Sequence, residues 1–296
     1  MAFRLAVPVT GWLLGIHDPL LIYLGQLCVC VLLFVAICRL TELVTNPRAS
    51  VILTISTAFT YIGQSGIQTA PYFDVFGVAA LLGALLAPSS AVVFILCQLA
   101  CWVDERAVVA GIGVLFWHQM VFKDGDYVIQ YRLNAKGAAV IASWILYGAL
   151  RTFLGRHFLL SAAGVGSADL RAHVNMIPFG IWSGFEGFWL LPIACAIHLV
   201  TARRYGLALV FSACLAISIG PSLFVLDMTR SVIYSMPLVL ISLRMIAPRE
   251  TPQSLNILSL VVLSVCVMVP TYYTTGPFWI EGSSSIFLQL LKVLRT

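Results

Sequence analysis

Charged side chains are scarce in this chain of 296 residues, because Asp, Glu, Lys and Arg make up only 10% of it while 60% of the residues are hydrophobic. A soluble domain of this size cannot bury so many apolar side chains, so the composition excludes an ordinary water-soluble fold. No hydrophilic stretch is long enough for a separate soluble domain. The sequence therefore predicts a single integral membrane domain over residues 1–296. We expect it to be all-α, a polytopic bundle of about 10–12 transmembrane helices with short loops.

Several familiar signatures of soluble-type chemistry are also missing. The sequence contains no Walker A, G-x-S-x-G, H-E-x-x-H or Rossmann motif, which argues against nucleotide hydrolysis and cofactor chemistry. The eight cysteines all lie inside apolar runs without ligand-spaced histidines or carboxylates, so we interpret them as packing residues. The basic residues behind the net charge of +5 are scattered singly between apolar runs. We therefore predict no cofactor, no metal and no nucleic-acid partner, and a lipid bilayer as the surroundings.

Apolar runs separated by polar turns predict the positions of the membrane spans. The first 16 residues have the look of a signal peptide but lack its cleavage site, and we predict a retained short helix or re-entrant segment there. The two runs that flank Pro88 are short, and predict either a tight helical hairpin or one broken helix. The predicted spans are Leu20–Cys38, Val51–Gly66, Asp74–Leu86, Val92–Val103, Ala107–Val121, Gly137–Phe153, Met176–Val200, Tyr205–Val225, Ser231–Ile246, Leu255–Tyr272 and Ile280–Leu294.

The positive-inside rule gives this series of spans an orientation. With Arg4 left aside, the alternate loops of one set hold far more basic residues than those of the other. The first set, predicted to be cytoplasmic, holds Arg39, Arg48, Lys123, Arg132, Lys136, Arg203, Arg204, Arg244, Arg249, Lys292 and Arg295. The opposite set holds only Arg106, Arg151, Arg156, Arg171 and Arg230.

Acidic residues show the reverse distribution, which membrane insertion does not require because carboxylates contribute little to topology. Only Glu42, Asp124, Asp126 and Glu250 fall on the predicted cytoplasmic side. The others lie outside or near the outer end of a helix: Asp18, Asp74, Asp104, Glu105, Asp169, Glu186, Asp227 and Glu281. We interpret this second asymmetry as functional.

Three of the outer groups are candidates for binding or chemistry, and each also has a purely structural interpretation. Asp74 begins a predicted helix. It is either a helix cap or a catalytic or substrate-binding residue. The turn Asp104-Glu105-Arg106 is either a solvated ion-paired turn or a group that binds a cation, a phosphate or a sugar. Asp227 and Arg230 can pair on one helical face, or Asp227 can hold Arg230 for a phosphate contact.

Glu186 is the most unusual ionisable residue because it lies inside an apolar span. A carboxylate there must be paired, protonated or in contact with a polar cavity, and Arg171 or His173, which precede the span, are possible partners. Gly180 and Gly184 form a small-xxx-small face, which predicts close approach of another helix and a possible membrane-protein partner.

The opening Phe3-Arg4-Leu-Ala-Val-Pro8, followed by Leu13-Leu14-Gly15, resembles a segment of bacterial polytopic membrane proteins related to the GT-C glycosyltransferases. The placement of Asp74, the Asp104–Arg106 turn and Asp227-Met-Thr-Arg230 is similar to that family as well. The resemblance implies a many-helix enzyme of the bacterial inner membrane that uses a polyprenyl-phosphate-linked sugar at the outer face, in cell-envelope or exopolysaccharide assembly.

Within that resemblance, we expect Asp74, Asp104 and Glu105 to be catalytic, as candidates for the base that activates an acceptor hydroxyl. Arg106, Arg171, Glu186, Asp227 and Arg230 are then expected to bind substrate. The family's catalytic aspartate follows a spanning helix that precedes the arginine segment. Because this chain begins at that segment, we expect either that His17-Asp18 or another outer carboxylate substitutes, or that the chain is a shortened relative.

Two other classes of function fit the same sequence. A transporter or flippase would use Glu186 and the interrupted 74–103 region as a site near the middle of the membrane, although no internal repeat is visible. A non-catalytic scaffold would recruit a membrane protein through the Gly180/Gly184 face.

The orientation makes a direct prediction. Cysteine or reporter labels in the Asp104–Arg106 turn should be accessible only from outside the cell, and labels between Lys123 and Arg132 only from the cytoplasm. Labelling of intact cells with a membrane-impermeant thiol reagent, on a background without native cysteines, measures this. A cytoplasmic Asp104 turn would contradict the outer-face hypothesis.

Overall fold

The structure is a computed structural model, and it describes residues 5–16, 18–67, 73–123, 125–158, 174–225, 227–275 and 278–283. In that part of the chain the fold is a helical bundle of a multi-pass membrane protein. Five helical stretches are long and apolar enough to cross a bilayer: Pro19–Glu42, Ala135–Phe158, Val174–Thr201, Tyr205–Phe224 and Met228–Arg249. Three shorter apolar helices accompany them: Asp74–Leu86, Ser90–Val103 and Pro252–Met268.

The outward faces of the long helices are apolar. On the stretch Pro19–Glu42, for example, Val31 and Leu32 are each 62% exposed. Side chains of this kind would form an aggregation-prone surface in water, but they are the expected contact with lipid. The exposure pattern therefore agrees with the membrane environment predicted from composition.

The helices in the described residues are numbered here in chain order. They are α1 (Ala6–Leu13), α2 (Pro19–Glu42), α3 (Pro47–Ala58), α4 (Tyr61–Ser65), α5 (Asp74–Leu86), α6 (Ser90–Val103), α7 (Arg106–Gln119), α8 (Ala135–Phe158), α9 (Ile177–Phe185), α10 (Leu190–Thr201), α11 (Tyr205–Ile219), α12 (Met228–Val232), α13 (Met236–Ile246) and α14 (Pro252–Met268). Short 3-10 turns occupy Val174–Met176, Glu186–Trp189, Gly220–Phe224, Ile233–Ser235 and Ala247–Arg249. Two antiparallel hairpins pair β1 (Met120–Lys123) with β2 (Asp126–Ile129), and β3 (Thr271–Thr275) with β4 (Phe278–Ser283).

The chain divides into two compact units. Unit 1 comprises Met1–Ala36 and Ser65–Gly164, and unit 2 comprises Ile37–Gln64 and Val165–Thr296. That residues 1–296 form a single membrane domain depends on how the two units join, so it stays a prediction.

In unit 1, α5 and α6 form the tight helical hairpin that was one of the two alternatives around Pro88. The Ser89 side chain caps α6 by accepting a hydrogen bond from the Val92 amide at 3.3 Å. At the C-terminal end of α5, the Lys136 ammonium donates to the carbonyl of Ala87 at 2.7 Å, and a ring nitrogen of His118 lies 2.9 Å from the carbonyl of Ala84. These contacts satisfy carbonyls that the end of a helix leaves without a partner.

Helices α6, α7 and α8 pack closely on one another in the same unit. Gly111 on α7 allows the approach of Trp144 on α8, since a Cβ at position 111 would lie 2.7 Å from the indole nitrogen. On the α6 side, the Gln98 amide donates to the backbone carbonyl of Ser143. A small residue at a close helix crossing and a hydrogen bond between helices are typical of packing inside membranes. Apolar contact alone gives little driving force there, because lipid is as apolar as the side chains.

In unit 2, the predicted Gly180/Gly184 face is used within the chain. Gly180 and Gly184 are buried, and a Cβ at Gly184 would lie 2.6 Å from Cγ1 of Val232 on α12. The close helix approach is therefore present, and the helix that approaches is the chain's own. Elsewhere in unit 2, α14 packs along α3, where the Asn46 side chain donates to the carbonyl of Pro252 at 3.3 Å.

The two hairpins correct the predicted ends of three spans. Helix α7 ends at Gln119 and not at Val121, and the span predicted to reach Tyr272 ends at Met268. Residues 271–275 and 278–283 are strands, so the predicted last span Ile280–Leu294 is wrong over 280–283, and its remainder lies outside the described residues. Pro270 disfavours helix in the residue before it, and the following β-branched and aromatic residues prefer extended backbone.

Two glycines allow a matched test of the packing in unit 2. A Cβ at Gly187 would overlap the backbone carbonyl oxygen of Val262, which cannot move aside, whereas nothing lies within 4 Å of a Cβ at Gly148 in α8. We expect Gly187→Ala to lower the free energy of unfolding by roughly 1–3 kcal/mol. Gly148→Ala should be neutral or stabilising by up to about 1 kcal/mol. Thermal unfolding in detergent measures both, and equal melting temperatures would contradict the close approach.

Candidate functional site

Four helix ends of unit 1 bring a cluster of ionisable side chains together. Asp74 begins α5, Asp104 follows α6, Arg106 begins α7, and Arg151 lies near the end of α8. Because α6 and α7 are joined only by Asp104 and Glu105, the side chains of this turn lie next to the first residue of α7. The structure thus brings together Asp74, Asp104, Glu105 and Arg106, all of which were predicted from the sequence. We call these four residues with Arg151 the unit 1 cluster.

Asp104 and Arg106 form the strongest interaction of the unit 1 cluster. The Arg106 Nε donates to Asp104 Oδ1 at 2.7 Å, and Nη2 donates to Oδ2 at 2.6 Å, which is a bidentate pair. Asp104 Oδ1 also accepts the backbone N–H of Arg106 at 3.0 Å, so the carboxylate caps the first turn of α7. Both oxygens of Asp104 are therefore engaged, and the residue is only 1% exposed. This geometry orients the guanidinium group.

Asp74 completes a buried group of three charges. Its Oδ1 lies 3.7 Å from Nη2 of Arg106, and its side chain is fully buried. As the first residue of α5, it is also in the position where the helix dipole stabilises a negative charge. The preceding Phe73 has a φ of 51°, which is uncommon for a residue other than glycine. The backbone at the start of α5 is thus held in a strained turn while Asp74 faces Arg106.

Glu105 is the accessible carboxylate of the unit 1 cluster. Its side chain is 33% exposed and its Oε2 lies 3.5 Å from Nη1 of Arg151, which is itself 28% exposed. Arg151 also donates to the hydroxyl of Tyr147 at 3.0 Å and lies over that ring, 5.8 Å from its centre. Trp102 contacts the same ring edge-on, with ring centres 4.9 Å apart. Partly exposed acidic, cationic and indole groups thus lie together over the buried Tyr147 ring.

Sequence reasoning missed Arg151 and Tyr147 as parts of this site, since Arg151 was assigned only to the predicted outer side. The position of Trp102 near a helix end predicts an interfacial anchor first and a sugar-stacking ring second. The available signal was the spacing of Tyr147 and Arg151, four residues apart on one helical face, near the same end of the bundle as the Asp104 turn. Which face of α8 meets α6 depends on packing, so the sequence alone could not place these side chains beside Glu105.

Unit 2 holds a second polar group, at the start of α12. The Arg230 guanidinium is fully buried and its Nη1 donates to Asp227 Oδ2 at 2.8 Å. The other oxygen of Asp227 accepts the hydroxyl of Tyr273 on β3 at 2.9 Å. Tyr273 stacks on Tyr61, with ring centres 5.6 Å apart. The predicted pairing of Asp227 with Arg230 is therefore present, and Asp227 itself remains 26% exposed.

Glu186 lies at a break in the span Val174–Thr201. Helix α9 ends at Phe185, a 3-10 turn covers Glu186–Trp189, and α10 begins at Leu190. Glu186 is fully buried, and neither carboxylate oxygen has a hydrogen-bond partner among the described residues. The indole N–H of Trp189 donates to the carbonyl of Ile181 at 2.9 Å, so a hydrogen bond spans the break.

Two expected partners of Glu186, Arg171 and His173, lie outside the described residues, as does His17 of the His17-Asp18 pair. Arg171 was also a predicted substrate-binding residue, and that prediction stands as made. Within the described ranges no group of three or more His, Cys, Asp or Glu side chains is placed to hold a metal ion.

The two clusters have different chemical capacities. In unit 1, three carboxylates and two guanidinium groups leave one net negative charge, and Glu105 and Arg151 are the members open to a ligand. A carboxylate can accept a proton, an arginine can contact a phosphate, and aromatic rings can stack against a sugar. In unit 2, both oxygens of Asp227 already accept hydrogen bonds from Arg230 and Tyr273. Asp227 is therefore better suited to hold these two side chains in position than to bind a ligand itself.

Comparison of the chain with protein-family models, with curated proteins and with solved structures gives no match. The class that the fold defines is a multi-pass helical membrane protein.

The buried ion pair can be tested without a substrate. Asp104→Asn replaces an acceptor oxygen with an amide group that faces Arg106, whose side chain is only 11% exposed. We expect a loss of roughly 1–3 kcal/mol in the free energy of unfolding, because the buried guanidinium group loses one of its bidentate hydrogen bonds and faces an amide N–H, while Asp74 remains its charged partner. Glu105→Gln, at an exposed pair, should cost less than about 1 kcal/mol.

Chemical denaturation in detergent measures both losses. The double variant Asp104→Asn/Arg106→Met should lose more stability than Asp104→Asn alone, since it also removes the cation that faces the buried Asp74 carboxylate. Equal losses for Asp104→Asn and Glu105→Gln would contradict a structural role for the Asp104–Arg106 pair.

Proposed function

We propose that this chain is a membrane glycosyltransferase-like protein of the bacterial inner membrane. It acts at the outer face on a polyprenyl-phosphate-linked sugar, in assembly of the cell envelope or an exopolysaccharide. The observation that carries the proposal is the unit 1 cluster, where the accessible pair Glu105–Arg151 lies beside the Tyr147 and Trp102 rings. The resemblance of the opening segment and of the acidic positions to GT-C enzymes supports the same class.

In this proposal Glu105 is the base. It takes the proton of an acceptor hydroxyl as that oxygen attacks the anomeric carbon of the donor sugar. The bond between the anomeric carbon and the phosphate oxygen breaks, and the lipid phosphate leaves with the bonding electron pair. Of the three acids predicted to be catalytic, Glu105 has the side chain most open to solvent, because those of Asp74 and Asp104 are buried against Arg106.

The arginines are assigned to the phosphate. Arg151 is partly exposed and can turn from Glu105 to a phosphate oxygen at the membrane surface, while Arg106 is held in a fixed orientation by Asp104. Trp102, which is half-buried and packs edge-on against the buried Tyr147 ring, offers an apolar surface to the sugar or to the first units of the lipid. In unit 2, Arg230 and Asp227 are the substrate-binding candidates, with Glu186 considered below.

Recognition of the lipid phosphate is the first part of the test. The purified chain should bind polyprenyl phosphate and not the uncharged polyprenol, and Arg151→Gln should weaken that binding by roughly tenfold or more. The matched control is Arg39→Gln, which removes an arginine from an exposed pair with Glu42 at the predicted cytoplasmic end of α2. Equal binding by all three chains, or equal binding of the two lipids, would remove the phosphate assignment.

Transfer is the second part. With radiolabelled polyprenyl-phosphate-glucose and polyprenyl-phosphate-mannose as donors, Glu105→Gln should slow transfer about 10²- to 10⁴-fold while lipid binding is retained. Glu42→Gln, at the exposed pair, should transfer at the wild-type rate. Unchanged transfer by Glu105→Gln would exclude this residue as the base.

Transport of a lipid-linked sugar is the second candidate function, and the broken span at Glu186 favours it, because interrupted helices form the substrate sites of many transporters. The two functions separate in proteoliposomes that hold polyprenyl-phosphate-glucose in one leaflet. Movement of the donor to the other leaflet without transfer to an acceptor would favour transport over the enzyme.

A further inference from the structure

The break between α9 and α10 combines strained backbone with an ionisable side chain. Glu186 has a φ of 48° and a ψ of −119°. This backbone conformation costs about 1–3 kcal/mol for any residue other than glycine. Such strain is kept where the surrounding structure holds it, and it concentrates at binding and catalytic sites. Gly187 follows at once and packs against the carbonyl of Val262 on α14, so the turn is held in place.

Two oxygen-bearing side chains at this break are buried without hydrogen bonds. Ser183, in the last turn of α9, and Glu186 are both fully buried. Neither the Ser183 hydroxyl nor either oxygen of the Glu186 carboxylate has a hydrogen-bond partner among the described residues. Buried polar atoms in folded proteins are almost always satisfied, and one without a partner requires an explanation. Here three such atoms occur within four residues of chain.

The polar group that approaches Glu186 does not supply it with a donor. It is the Thr271 hydroxyl of β3. That hydroxyl donates its hydrogen to the carbonyl of Phe59 at 2.9 Å and accepts the Gln64 amide at 3.2 Å. It therefore presents oxygen lone-pair density, not a proton, toward the carboxyl group. Among the described residues neither oxygen of Glu186 has a hydrogen-bond donor, at a point where a buried negative charge needs a positive partner.

The end of α9 adds further negative potential at the same place. The last carbonyls of a helix lack intrahelical partners and carry the negative end of the helix dipole. Helix α9 has nine residues, and its end coincides with Glu186. In interrupted membrane helices, such half-helix ends and unwound carbonyls coordinate sodium ions or protons.

We propose that the break between α9 and α10 is a binding site for a monovalent metal cation of the sodium class. Its ligands are the Glu186 carboxylate, the Ser183 hydroxyl and carbonyl oxygens at the end of α9. A single carboxylate and a monovalent ion give a neutral site, as burial requires. A divalent ion would leave a net charge, and in the described part of the chain Glu186 belongs to no group of three or more Asp, Glu, His or Cys side chains that could balance it.

A metal cation satisfies the site better than a proton does. A proton neutralises the carboxylate but occupies only one of its two oxygens, and it leaves the Ser183 hydroxyl and the other carboxylate oxygen without a partner among the described residues. A cation can contact both carboxylate oxygens and the serine hydroxyl at once, and hard oxygen ligands are the kind that alkali and alkaline-earth ions prefer. The site is independent of the proposed transfer reaction, since none of its ligands belongs to unit 1.

Thermal unfolding of the full chain in detergent tests the proposal without any substrate. Sodium chloride should raise the melting temperature saturably, by roughly 5 °C or more over choline chloride at equal ionic strength, because an ion that binds only the folded state stabilises it. Glu186→Gln should melt at the same temperature in both salts. Ser183→Ala should need a several-fold higher sodium concentration for the same shift.

Ser259→Ala is the matched control. Ser259 is a buried serine of α14 whose hydroxyl donates to the carbonyl of Leu255 at 2.8 Å, so its loss should leave the sodium response unchanged. A wild-type chain with no sodium-specific shift would overturn the proposal, even if its melting temperature followed pH. A sodium shift of undiminished size in both Glu186→Gln and Ser183→Ala would overturn it as well.

Discussion

Lipid offers no hydrogen bonds, so every charge and every freed backbone group in this chain has to find its partner within the protein or at the membrane surface. The Asp104–Arg106 pair shows how the chain meets this constraint. The carboxylate at the end of one helix accepts the first N–H of the next helix and binds the Nε–Nη2 edge of the guanidinium group, which also faces Asp74. One interaction thus joins the ends of α5, α6 and α7. The positions of Glu105 and Arg151, and with them the proposed site, depend on that junction.

The same constraint separates the ionisable residues by exposure. Asp74, Asp104 and Arg230 are almost completely buried and paired, whereas Glu105 and Arg151 are partly exposed. A buried pair fixes geometry at a cost in desolvation, and an exposed pair contributes little to stability but is open to a ligand. Stability and ligand binding are therefore assigned to neighbouring residues of a single turn. Glu186 stands apart from both groups because its carboxylate is buried without a hydrogen-bond partner in the described residues.

Much of the fold could be predicted from hydrophobic runs and turn residues. The boundaries of α5 at Asp74 and Leu86 follow from the sequence, because an acidic residue begins an apolar run that Pro88 closes. The hairpin after Met268 was missed because the apolar run was extended past Pro270, although the β-branched and aromatic residues that follow favour extended backbone. For the site, the pairing of Asp227 with Arg230 follows from spacing. The contact between Glu105 and Arg151 depends instead on how α8 packs against α6, for which the sequence holds no local signal.

The hydrogen bond from the Trp189 indole to the Ile181 carbonyl sets a limit on how the interrupted helix can behave. An interruption in a membrane helix is often a hinge, but here the two segments are tied by a donor that is buried and has no water to turn to. Bending at Glu186 would strand that N–H in an apolar interior. The break between α9 and α10 is therefore expected to hold a fixed angle between the two helices.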